Sequence, residues 1–150
     1  MVKLLSRNEL TECVKGGELF FKEGGLPGEF KPNVFVQKIG DLIDANVAMV
    51  IGCFNHTGAI QGAIAFSVYE DIYTGDRTAT EMWWFVLPEH RGGSVAMRLI
   101  RAFEKSAQRL CCKRVCMVHL AALQEDRLSL LYQTLGYKLI ECCYAKTISG

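Results

Sequence analysis

The sequence predicts an α/β or α+β fold, with helices layered on a sheet. Three observations carry this. Up to about residue 45 the apolar residues recur at helical spacing. From residue 47 to 86 they form short runs separated by turn-like tetrapeptides, as antiparallel strands do. Beyond Pro88, helix-like and strand-like segments alternate.

Taken in order, "SRNELTECVKGGELFFKE" can start a helix at Ser6 or Asn8, with Leu10, Val14 and Leu19 roughly on one side. Gly16 and Gly17 are expected to break or weaken it. "GGLPGEF" reads as a loop. Pro32 suits the first turn of a second helix, where a missing N–H is no loss. Val34, Val36, Ile39, Leu42 and Ile43 approach one stripe there. "VAMVIGCF" and "IQGAIAFSVYE" flank "NHTG" and read as a hairpin. After the turn "YTGD", "TATEMWWFV" is a third strand, rich in Thr and aromatics. Period two puts Thr80, Met82, Trp84 and Val86 on one face and Glu81, Trp83 and Phe85 on the other, unless a bulge shifts the alternation. A helix over about 93–110 follows, striped by Val95, Leu99, Ala102 and Phe103. "RVCMVHL" is expected as a fourth strand and "EDRLSLLYQTLG" as a short helix capped by Gly136. "YKLIECCYAKTI" is expected as a closing strand.

The 150 residues fit one domain spanning 1–150. Half of them are apolar, enough for a core without crosslinks. A net charge of +1 gives no field that would draw nucleic acid or an anionic membrane. The run "RLIRAFEKSAQRLCCKR" nevertheless gathers Arg98, Arg101, Lys105, Arg109, Lys113 and Arg114. It reads as a solvated helix face or as a basic rim beside an anionic ligand. No apolar run approaches the ~20 residues of a membrane span. The start "MVKLLSRNEL" lacks the apolar region of a signal peptide, so a cytoplasmic protein is expected. The seven cysteines are Cys13, Cys53, Cys111, Cys112, Cys116, Cys142 and Cys143. None forms a CxxC pair, and the nearest approach is Cys112 with Cys116. Buried free thiols are expected rather than a metal site.

The most informative stretch is "WFVLPEHRGGSVAMRLI", residues 84–100. A strand ends, a turn runs through Arg91, Gly92 and Gly93, and a helix starts near Ser94. A helix start presents unpaired backbone N–H groups and positive partial charge. Glycines before it let an anion approach the backbone. The arrangement suits a phosphate or pyrophosphate. It has neither the spacing of a Walker loop nor the three glycines of a dinucleotide fingerprint.

The order of elements and two local motifs resemble the GNAT acyltransferase superfamily, which transfers acyl groups from coenzyme A to amines. "RGGSVA" is similar to the family's pyrophosphate-binding Arg/Gln-x-x-Gly-x-Gly/Ala, with Ser94 where the middle glycine normally lies. "LSLLYQTLGYK" is similar to its second signature, matched by Tyr132, Leu135, Gly136 and Tyr137. Many members carry an Asn seven residues before that Tyr, and Glu125 stands there in this chain. The resemblance implies a mixed, mostly antiparallel sheet of about six strands flanked by about four helices. It implies acetyl-CoA as cosubstrate, an amine acceptor (small molecule, protein or peptide) and no metal. It implies direct attack in a ternary complex. Arg91, Gly92, Gly93, Ser94, Val95 and Ala96 would hold the pyrophosphate, and the backbone of Trp84, Phe85 and Val86 would pair with pantetheine.

Acyl transfer to an amine requires removal of an amine proton, stabilisation of the carbonyl oxygen and protonation of the leaving thiolate. By the resemblance Tyr132 is the candidate acid. The base is open between Glu81, whose burial among Trp83 and Phe85 would raise its pKa, and His119, expected at the end of the fourth strand. His90 falls in the phosphate turn. A catalytically inactive CoA-binding or protein-interaction module is the alternative reading, since Ser94 and Glu125 both depart from the pattern. Dimers are common in the family, and the apolar closing strand could pair at an edge.

Overall fold

The computed structural model describes residues 1–123 and 125–148, without the side chains of Glu125 and Asp126. One five-stranded sheet in the order β1-β2-β3-β4-β5 organises the chain, close to the six strands expected. Its strands are β1 (Val2–Leu4), β2 (Ala48–Phe54), β3 (Ile60–Glu70), β4 (Arg77–Val86) and β5 (Arg114–Cys116). The first four pair antiparallel, and β5 joins β4 in parallel. The helices are α1 (Val14–Glu23), α2 (Pro32–Asp44), α3 (Val95–Arg109) and α4 (Glu125–Thr134).

Two apolar layers clamp the sheet. One holds Leu10, Cys13, Ile39, Val50, Trp83 and Phe85, on the side of α1 and α2. The other holds Ile64, Phe66, Ala79, Val86, Leu99 and Phe103, on the side of α3. Of the expected α3 stripe, Val95, Leu99 and Phe103 are buried and Ala102 is partly so, and Ile100 and Ala107 join them. The β2–β3 hairpin turns where expected: Asn55 Oδ1 accepts the backbone N–H groups of Thr57 and Ala59, both at 2.9 Å. Pro32 opens α2.

Four expectations are corrected. The first helix does not start at Ser6 or Asn8 as an α-helix: residues Arg7–Cys13 form a 3-10 segment, and α1 begins at Val14. Gly16 and Gly17 do not break it. They lie buried inside α1, where a Cβ on Gly16 would stand 2.1 Å from the Phe85 ring and one on Gly17 2.8 Å from Phe35. Their role is close approach of the helix to β4 and α2. The N-terminal strand β1, unforeseen, comes from a segment too short to show a period. The closing strand over 137–148 is not formed, and Leu139, Ile140, Tyr144 and Ile148 are exposed.

Candidate active site

The site begins where the sheet forks. The parallel ladder between β4 and β5 ends at the pair Thr80–Cys116, while β4 runs on to Val86. From Glu81 onward that edge of β4 has no strand neighbour among the described residues. Such an edge can accept an extended chain.

A bulge decides which side chains enter the fork. The β3–β4 register steps from Ala65–Trp83 to Phe66–Glu81, leaving Met82 without a partner. The inside–outside alternation therefore switches at Met82. Ala79, Trp84 and Val86 all pack on the α3 side although their numbers differ in parity. Trp83 and Phe85 pack on the α1–α2 side. Glu81 follows Ala79, so the expectation that it is buried among Trp83 and Phe85 is corrected: the bulge separates it from them.

Glu81 is nonetheless buried, at 3% exposure. Its Oε2 accepts the backbone N–H of Val118 at 2.9 Å, across the fork. Desolvation pushes its carboxyl up to about 8, against a smaller opposing effect of that hydrogen bond. Val118 is shared. Its carbonyl accepts the Tyr132 hydroxyl at 3.3 Å, and the Trp84 indole N–H donates to the same hydroxyl at 3.1 Å. Tyr132 is itself 6% exposed, and its phenol is raised by burial and by the neighbouring Glu81 charge. The position of Tyr132 is set by the end of α4. Gly136, at φ +90°, stops the helix, and the Tyr137 N–H returns to the Tyr132 carbonyl at 2.9 Å. The Tyr137 hydroxyl then donates to Glu104 Oε1 at 2.8 Å, fastening α4 to α3.

The two base candidates differ in placement. β5 stops at Cys116, so His119 lies in the following loop and not at a strand end, a further correction. Its ring is 6.1 Å from that of Tyr132. Glu81 and Tyr132, by contrast, bond to the N–H and the carbonyl of the same residue, Val118. The sequence gives no sign of Val118 or of the Trp84 indole, because both depend on the bulge and on where β5 ends.

At the other end of β4, Leu87 leads through a 3-10 turn, Pro88–His90, to the glycines. Gly92 has φ +79° and open space where a Cβ would stand. Ser94 has φ −81°, a value open to any residue, and its side chain caps nothing. Among the described residues the N–H groups of Gly92, Gly93 and Ser94 donate to no protein acceptor. This loop of free donors at the start of a fifteen-residue helix fits a pyrophosphate. Arg91 is turned away from it. Its Nε donates to the Val86 carbonyl at 2.9 Å, and its two terminal nitrogens grip Glu23 at 3.1 and 2.8 Å. His90 Nδ1 lies 3.4 Å from Gln61 Nε2. Of the basic run, Arg101, Lys105 and Lys113 line an open groove beside β5, and Arg114 pairs with Asp71. The side chain of Glu125 lies outside the described residues. No group of three or more His, Cys, Asp and Glu side chains is arranged to hold a metal ion among the described residues. Nor is any described helix long and apolar enough to cross a membrane.

The fork, the bulge and the glycine turn thus lie along one strand of one sheet. The sequence matches the acetyltransferase (GNAT) family over residues 21–137, and the chain belongs to that family, whose enzymes use acetyl-CoA. Solved structures agree in fold. A ribosomal-protein-alanine N-acetyltransferase from Brucella melitensis biovar Abortus 2308 superposes with TM-score 0.78 at 17% identity, covering 99% of each chain. The aminoglycoside 6'-N-acetyltransferase AAC(6')-Ih from Acinetobacter baumannii gives 0.74 at 21% identity, covering 100% of this chain and 99% of that one. AAC(6')-Iy, solved with the bisubstrate analogue CoA-S-monomethyl-acetylneamine, gives 0.76 at 16% identity, covering 100% and 98%. Among curated proteins no relative matches the sequence.

Proposed function

We propose that the protein is an N-acetyltransferase that passes an acetyl group from acetyl-CoA to a primary amine by direct attack. The observation that carries this is the pair of backbone bonds to Val118, which bring a buried carboxyl and a buried phenol to the open edge of β4. When bound, acetyl-CoA supplies an activated acyl carbon: the amine nitrogen bonds to it, the C–S bond breaks, and its electron pair leaves on sulfur.

The chain's residues do the rest. The free N–H groups of Gly92, Gly93 and Ser94, with those of Val95 and Ala96 in the first turn of α3, hold the pyrophosphate. The open edge of β4 pairs with pantetheine through the backbone groups of Trp84 and Val86, which flank Phe85. The Val86 carbonyl already serves Arg91, so that residue has its N–H left to offer. Glu81, with a carboxyl that titrates near 8, accepts the amine proton, directly or through water. Tyr132 gives its hydroxyl proton to the departing sulfur, and the phenolate is reprotonated before the next turnover. His119, beside Tyr132, is the second candidate for the base. None of the seven cysteines is needed as a nucleophile.

The test is a panel of amines and peptides mixed with acetyl-CoA, followed by release of free thiol. Turnover on at least one amine, abolished by Glu81→Gln or Tyr132→Phe, is expected. Tight acetyl-CoA binding without turnover on a broad panel would replace this reading with that of a catalytically inactive CoA-binding module.

A further inference from the structure

We propose that Trp84 is a positioning residue for Tyr132: its indole N–H fixes the phenol oxygen so that the hydroxyl proton is presented for transfer and the phenolate left behind keeps a donor. The inference rests on the proposed role of Tyr132 as the acid.

The argument is one of hydrogen-bond polarity. An indole N–H can only donate. In the 3.1 Å contact the Tyr132 oxygen is therefore the acceptor, and its own proton must point elsewhere. The acceptor on its other side is the Val118 carbonyl, at 3.3 Å. That bond is long for an O–H donor, so the proton is directed yet loosely held. Once the proton leaves, the Val118 carbonyl has nothing to accept, and the Trp84 N–H is the remaining donor to the charged oxygen. A hydrogen bond to an ionised acceptor is roughly twice as strong as a neutral one, so the contact strengthens as the proton departs.

The arrangement is specific to the bulge at Met82. Without the register step, Trp84 and Ala79 would lie on opposite faces of the sheet. With it, Trp84 faces α3 and reaches a residue forty-eight positions along the chain. The neighbouring Trp83, whose buried Nε1 has no partner among the described residues, packs against Phe35 and Phe85.

The test compares Trp84→Phe, which keeps an aromatic ring and loses the donor, with wild type and Tyr132→Phe in the full chain. Two acyl donors are used: acetyl-CoA and its selenoester analogue, whose leaving group departs without a proton. With acetyl-CoA, Trp84→Phe should lower kcat by about tenfold or more while leaving acetyl-CoA affinity within about twofold. With the selenoester both variants should recover most of the wild-type rate. In NMR the Trp84 indole N–H resonance should shift in Tyr132→Phe. Equal losses with both donors, a wild-type rate in Trp84→Phe, or an unmoved indole resonance would overturn the role of Trp84. If Tyr132→Phe itself keeps the wild-type rate, the acid role of Tyr132 fails, and the role of Trp84 falls with it.

Discussion

The Glu81 carboxylate accepts the backbone N–H of Val118 at 2.9 Å, bridging β4 to the chain beyond β5 at the point where the two strands part. A carboxyl so buried keeps its proton to unusually high pH, and this gives a stability prediction independent of catalysis. In the unfolded chain it ionises near 4.5, and in the fold near 8. Between those values the folded state binds more protons than the unfolded, so stability falls as pH rises and the loss is complete above about 8. The upper bound is on the order of 5 kcal/mol. Glu81→Gln keeps an acceptor for Val118 and removes the ionisation. Urea unfolding from about pH 5 to about pH 9 should show a shallower fall for the variant than for wild type. Parallel slopes would contradict the buried carboxyl.

Gly16 sits against the Phe85 ring with no room for a methyl group. Gly16→Ala should destabilise the protein by about 1–3 kcal/mol despite its better helix propensity. Phe85→Leu in the same chain should relieve part of that cost, giving a measurable coupling in a thermal double-mutant cycle. Simple additivity would show that the close approach is not what requires the glycine.

Ser94 has a φ that valine can also adopt, so Ser94→Val should fold. Its branched side chain would crowd the free N–H groups of the turn. Acetyl-CoA affinity measured by calorimetry should fall by about tenfold, or about 1.4 kcal/mol. Unchanged affinity would place the phosphates elsewhere.

The thiols should divide by burial. Cys111, Cys142 and Cys143 are exposed, whereas Cys13 and Cys53 are buried. Desolvation pushes the Cys13 thiol up to about 12, which suppresses its thiolate. A chromogenic disulfide reagent should label the first three rapidly, and Cys13 and Cys53 only after denaturant is added. Fast labelling of Cys13 in the native protein would contradict the packing beneath α1.

Much of this fold is legible in the sequence because long elements carry their own period. The β2–β3 hairpin, α2, β4, α3 and α4 fall close to where apolar spacing, Asn55, Pro32 and Gly136 put them. The failures share a cause: the deciding interaction is not local. Gly16 and Gly17 look like helix breakers until Phe85 and Phe35 are seen against them. The segment 137–148 has the composition of a strand, yet it pairs with no strand among the described residues. In the site, the glycine turn and Tyr132 stand out by motif, whereas the bulge at Met82 leaves no mark in the sequence. That bulge moves Glu81 away from Trp83 and brings the Trp84 indole to Tyr132.

The most direct test of the central claim is single-turnover acetyl transfer from acetyl-CoA to an accepted amine, in wild type and in Tyr132→Phe, with acetyl-CoA affinity measured in parallel. The account predicts a fall in rate of about 10²–10⁴ with affinity unchanged, and no acetylated enzyme at any time. A Tyr132→Phe variant that transfers at the wild-type rate, or an acetylated cysteine that forms and decays in step with turnover, would contradict it.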